Sequence, residues 1–141
     1  MEGHGYAGAR AFQLRLDVRS GVPVYRQLMD QVLASIASGV LQPGDRLPTV
    51  RQVAVDLAIN PNTVVRAYKE LEIRGTLTTQ QGTGTFISTR PVAMDEVERQ
   101  RRLSVIVADA AARAGAGGFT LDELIERLGE MRAELGSGGV R

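Results

Sequence analysis

The chain has 141 residues, 43% of them hydrophobic, a net charge of +1 and no cysteine. That length suits one domain, or one small domain with an appendage, and the missing thiols exclude a disulfide framework, a thiolate metal site and a cysteine nucleophile. No apolar run approaches the ~18 residues that a membrane helix needs, and no basic-then-apolar leader opens the chain, so the expectation is a cytoplasmic protein without a membrane partner.

Residues 1–10 are glycine-rich and read as disordered, with His4, the only histidine, solvated there. Phe12, Leu14, Leu16 and Val18 then alternate with Gln13, Arg15 and Asp17. This predicts a short extended segment, either an edge strand or a strand pairing with a partner subunit. Ser20-Gly21-Val22-Pro23 opens a first long helix, in which Tyr25, Leu28, Met29, Val32 and Ile36 form an apolar stripe and which Gly39 ends. Pro43-Gly44 turns the chain.

Thr49 followed by Gln52 is a capping box, each side chain bonding the other's backbone N–H. Val50, Val53, Ala54 and Leu57 recur at i, i+3, i+4, i+7, which predicts a helix over 49–57. Ala58-Ile59 is a short turn. Asn60 is a good N-cap, and Pro61 sits at the first helical position, where a missing N–H costs nothing. Val64, Ala67, Tyr68 and Leu71 form the buried stripe of this second helix, leaving Asn62, Thr63, Val65, Arg66 and Lys69 outward. Asn62, Arg66 and Lys69 make one polar line. Asparagine can bond an adenine edge twice, arginine a guanine edge, and threonine a base or a thymine methyl, while a lysine near the helix end suits a phosphate. Taken alone, such a line fits a solvated helix face better. The capped helix and short turn before it turn the reading to a helix-turn-helix with Asn60–Glu72 as its recognition stretch.

Gly75 stops that helix. Two β-prone runs, Thr76–Thr79 and Thr85–Ser88, flank a glycine-containing tip and predict a hairpin, hence a wing. Gly82 and Gly84 let the backbone approach a phosphate or the minor groove, with Gln81 and Thr83 beside them. A nucleotide loop is the weaker reading, because no Walker lysine and no helix follow. Basic charge leans toward this part: Arg46, Arg51, Arg66, Lys69 and Arg74 stand against Asp56, Glu70 and Glu72, whereas acids outnumber arginines in residues 91–141.

Pro91 separates a second region. Asp95–Ala114 predicts a helix with Leu103, Ile106, Val107, Ala110 and Ala114 on one face, broken by Gly115-Ala116-Gly117-Gly118. Thr120 and Glu123 form another capping box, with Phe119 and Leu124 at the staple positions. Leu121, Leu124, Ile125, Leu128, Met131 and Leu135 line the next helix, which frays from Gly136. Two such helices cannot bury both stripes on each other, so a second copy is expected on Leu103, Ile106, Val107, Ala110, Leu121, Leu124, Ile125, Leu128 and Met131. The alternative is folding back on the winged part. The fold class is therefore α+β, mainly α: an extension (1–21), a winged helix-turn-helix (22–90) and a C-terminal two-helix dimerisation hairpin (91–141).

The line Leu41-Gln42-Pro43-Gly44-Asp45-Arg46-Leu47-Pro48-Thr49-Val50-Arg51, the recognition stretch and Gly82-Thr83-Gly84-Thr85-Phe86 resemble the winged helix-turn-helix of the GntR family of bacterial transcription regulators. Val22-Pro23-Val24-Tyr25-Arg26-Gln27-Leu28, and Asn60-Pro61-Asn62-Thr63-Val64 with Arg66-Ala67-Tyr68, are similar to its YtrA-like branch. The resemblance implies a homodimeric regulator, a repressor rather than an activator, reading a palindromic operator in double-stranded DNA with one recognition helix per half-site. It implies that the helical tail dimerises and that a neighbouring transporter operon is controlled, and it likens Arg51 to an arginine that contacts DNA. The expected DNA-binding set is Arg46, Arg51, Asn60, Asn62, Thr63, Arg66, Lys69, Gln81, Gly82, Thr83 and Gly84. There are departures: Ala58 stands where the family usually has glycine, and Pro61 and Val65 where many members carry arginine. No cofactor and no metal are expected, and the small tail leaves any effector open. An enzyme is disfavoured by the lone histidine and the lack of a nucleotide loop. A protein-binding module is disfavoured by the polar recognition face.

Overall fold

In the computed structural model, residues 12–89 and 95–137 are described. The expectations for residues 1–10, His4, Pro91 and the last residues of the chain lie outside them. Helix α1 (Val24–Ala37) follows Pro23, which caps it without a side-chain bond. Leu28, Met29, Val32 and Ser35 are its buried face, with Tyr25 and Ile36 half-buried against the core.

Before α1, residues 12–17 run extended but form no strand. The expected edge strand is corrected by two glutamines of α1, which take up the backbone groups along one edge of the segment. Gln31 accepts from the Arg15 amide at 2.8 Å and donates to its carbonyl at 2.6 Å. Gln27 does the same at Asp17, at 2.9 and 3.0 Å. Four residues of helix rise about 6 Å and two of extended chain about 6.6 Å, so a pair at i, i+4 matches alternate peptides and replaces a neighbouring strand. Phe12 is buried and Leu14 and Leu16 half-buried, as the alternation requires, but Val18 has left the pattern in a turn and is 88% exposed.

Helix α2 (Val50–Leu57) carries the expected capping box, Thr49 and Gln52 bonding at 2.8 and 3.1 Å. Helix α3 (Pro61–Ile73) is capped by Asn60, whose Oδ1 accepts from the Asn62 amide at 2.8 Å. Its buried residues are Val64, Ala67, Tyr68 and Leu71, the stripe read from the sequence. Between the helices Ala58 is left-handed, at φ 55° and ψ 48°, the one non-glycine with positive φ among the described residues. Its Cβ costs on the order of 1 kcal/mol there. Tyr68 donates its phenol to the Pro48 carbonyl at 2.7 Å, tying α3 to the residues that lead into α2. Burial raises that phenol far above its ordinary pKa.

Strands β1 (Leu77–Gln80) and β2 (Gly84–Ile87) pair antiparallel, Leu77 opposite Ile87 and Gln80 opposite Gly84. Both lie one residue nearer the tip than the propensity runs suggested, because pairing and not composition sets strand ends. Residues 44–47 lie along the other edge of β2. The Ile87 amide donates to Asp45, Leu47 to Thr85 and Gly44 to Ile87, at 2.8–2.9 Å, and Arg46 stands opposite Phe86.

Helix α4 (Glu96–Ala116) and helix α5 (Leu121–Ser137) as far as Glu134 form a second unit. Asp95 caps α4, and Thr120 with Glu123 forms the predicted capping box. Contrary to the expectation from composition, Gly115 does not break α4. The helix runs to Ala116, and the stop comes at Gly117 and the left-handed Gly118. The two helices make no extensive contact with each other. They flank an open groove of about 860 Å³, lined by Ile106, Ala110, Ala114, Phe119 and Leu124 together with charged residues. No residue of α4 is buried.

Candidate nucleic-acid interface

Helices α2 and α3 pack against each other, and α3 packs on α1 and β1, so the helix-turn-helix and the wing share one core. Arg51 stands exposed in the first turn of α2. Asn62, Arg66 and Lys69 are exposed along α3, while Thr63 is half-buried at its start. Asn60 is exposed, and with its Oδ1 engaged in the cap, its amide NH2 is the group available for a phosphate or base. Gln81, Gly82 and Thr83 form the exposed wing tip. The Thr83 amide donates to the Gln80 carbonyl at 2.9 Å across a turn that puts Gly82 at φ 80°.

Two side chains are placed by contacts that no local pattern encodes. Because Arg46 stands opposite Phe86, it shares a face with Gly84, two residues earlier on β2. Its guanidinium lies over that glycine: a Cβ added there would stand 2.8 Å from Nε and 3.4 Å from Cζ. The absent side chain of Gly84 is therefore the space in which a wing arginine rests. Arg66 reaches back toward α1, its Cζ 3.7 Å from the Tyr25 ring centroid. Such a stack is worth about 0.5–1 kcal/mol at an exposed site and restricts the guanidinium to fewer orientations. Tyr25 was legible only as part of an apolar stripe. Its role under Arg66 needed α1 and α3 in register.

The arrangement offers three kinds of chemistry. Arg46, Arg51 and Lys69 supply cations suited to phosphates, Asn62 and Arg66 supply planar groups suited to base edges, and the wing tip supplies a thin backbone edge. None of the described residues form a cluster of His, Asp or Glu able to hold a metal. None of the described helices is long and apolar enough to cross a membrane.

Residues 24–87 match the bacterial regulatory proteins of the gntR family. The HTH-type transcriptional repressor YtrA of Bacillus subtilis (strain 168) is 35% identical over 131 residues, covering 89% of this chain and 96% of that protein. Among solved structures, YtrA from Sulfolobus acidocaldarius, described as a GntR-family transcription factor, is 32% identical with a TM-score of 0.54, covering 70% of this chain and 97% of that one. A transcriptional antiterminator from Listeria monocytogenes EGD-e is 25% identical with a TM-score of 0.65, covering 92% of this chain and 96% of that one.

Proposed function

Since the chain belongs to the gntR family of bacterial regulatory proteins and is a sequence-specific DNA-binding transcriptional regulator, not an enzyme, we propose that it acts as a homodimeric repressor on a palindromic operator. Asn62 and Arg66 meet base edges in the major groove, with Thr63 and the Asn60 amide beside them. Arg46, Arg51 and Lys69 meet phosphates, and Gln81, Gly82, Thr83 and Gly84 bring the wing to the backbone or minor groove. The repressor reading leans on the name of the B. subtilis relative. Control of a transporter operon, and action in the cytoplasm, belong to the same reading. The domain plan is a winged helix-turn-helix over 22–90 and a dimerisation tail over 91–141.

The observation that carries the dimer is the apolar surface of the tail. Leu103, Ile106 and Val107 on α4, and Leu121, Ile125, Leu128 and Met131 on α5, are 42–65% exposed, and the two helices do not cover each other. Half-buried Ala110 and Leu124 floor the same surface. A second copy offers the same faces with twofold complementarity. Sedimentation of the full chain should give a dimer, and Ile106→Glu with Leu128→Glu a monomer of unchanged winged-domain melting. A monomeric parent sinks the dimer. DNase footprinting of the DNA upstream of the chain's own gene should show a protected palindrome, and asymmetric protection overturns the twofold reading.

A further inference from the structure

The recognition face of α3 contains an apolar group that the polar assignments leave unused. Val65 is 45% exposed. Scattered exposed valines are common, so exposure alone means little. Its position says more. At 100° per residue, Val65 lies roughly 40° from Lys69 and roughly 60° from Asn62 on one side, and roughly 60° from Tyr68 on the other. The Tyr68 phenol is bonded to the Pro48 carbonyl, just before α2, so that side of α3 faces the start of α2, where Arg51 stands. Val65 therefore sits between the polar line of α3 and the basic start of α2. Arg66 lies roughly 100° round from Val65 and is drawn to the α1 side by Tyr25. Pro61, also exposed, is one turn before Val65 on the same side.

The side chains of Val65 and Pro61 bring two apolar groups to this point of the face, beside the Lys69 amine, with no donor or acceptor of their own. Thymine is the one base whose major-groove edge carries a methyl group. Valine in a helix holds one χ1 rotamer, so its methyl groups are already placed and ordering them costs little. Opposite a cytosine, the same side chain would leave the N4 amino group without an acceptor. We propose that Val65, with Pro61 beside it, receives the 5-methyl of a thymine in each half-site and makes that position thymine-specific. This rests on the reading of α3 as the recognition helix.

The test begins by selecting a preferred duplex from a random library with the full chain. Each thymine of that duplex is then replaced singly by uracil, which removes only the 5-methyl. Burial of about one methylene, ~0.8 kcal/mol, corresponds to about a fourfold change in affinity. The parent should lose about fourfold at one position per half-site, and Val65→Ala, melting like the parent, should lose nothing further there. No sensitive position, or equal sensitivity in Val65→Ala, overturns the proposal. Asn62→Ala separates the two layers of the argument. If it alters base preference while Val65→Ala leaves the uracil response intact, only the methyl contact is wrong. If it leaves preference untouched as well, α3 is not the reading helix and both fall.

Discussion

Replacing Gly84 by alanine should do something that the same change at Gly82 does not. Gly82 sits at φ 80°, and a Cβ added there would meet nothing within 4 Å, so alanine brings only backbone strain, about 1 kcal/mol. Gly84 sits at φ 142°, where alanine costs about 1–3 kcal/mol, and its Cβ would stand 2.8 Å from Arg46 Nε. The guanidinium is the mobile end of its side chain and gives way. Both variants therefore lose thermal stability, about 4–8 °C per kcal/mol for a domain of this size. Both should lose some operator affinity through the shape of the wing. Only Gly84→Ala should also displace Arg46, and if Arg46 meets a phosphate as proposed, the slope of log K against log salt falls by about 0.9. Anisotropy titrations at four or five salt concentrations, run well below each melting point, read both quantities. In an Arg46→Ala background the extra loss from Gly84→Ala should shrink, since the displaced group is already gone. A Gly84→Ala protein with the parent's salt slope, or fully additive losses with Arg46→Ala, refutes the link between wing glycine and arginine.

Other consequences are as direct. Arg66→Ala should cost operator binding roughly 1–3 kcal/mol more than random-duplex binding, whereas Lys69→Ala should weaken both alike and reduce the salt slope by about one; equal losses on all duplexes from both variants would show that Arg66 reads no base. Ala58→Gly removes a left-handed Cβ and should raise stability by up to about 1 kcal/mol in chemical denaturation, with a destabilised variant contradicting the strain. Tyr68→Phe loses the bond to Pro48 and should destabilise by about 1 kcal/mol at neutral pH. Because burial raises the Tyr68 pKa above its unfolded value near 10, its contribution is full below pH 10 and declines as pH rises through the folded value. Melting curves from pH 8 to 11 should therefore fall more steeply for the parent than for Tyr68→Phe, and parallel curves would deny the linkage.

What was legible in the sequence was whatever rests on near neighbours. The stripe of Val64, Ala67, Tyr68 and Leu71, the capping boxes of Thr49 with Gln52 and Thr120 with Glu123, and Pro61 behind its Asn60 cap all obey rules that span four residues or fewer. These gave the helix-turn-helix and its outward face, while the two β-prone runs around a glycine-containing tip gave the wing, with strand ends displaced by one residue. Composition failed where context outweighed propensity. Gly115 stayed helical, because one glycine costs only about 1 kcal/mol within a helix that has 21 residues to hold it. The Phe12–Leu16 alternation was real, yet its backbone partners turned out to be the side chains of Gln27 and Gln31, which no strand pattern announces. Tertiary structure alone decided that Arg46 lies over Gly84, that Arg66 rests on Tyr25, and that the Tyr68 phenol bonds the Pro48 carbonyl. Each of these joins residues far apart in the chain, and such pairs meet only once the shared core has set α1, α2, α3 and the wing against one another.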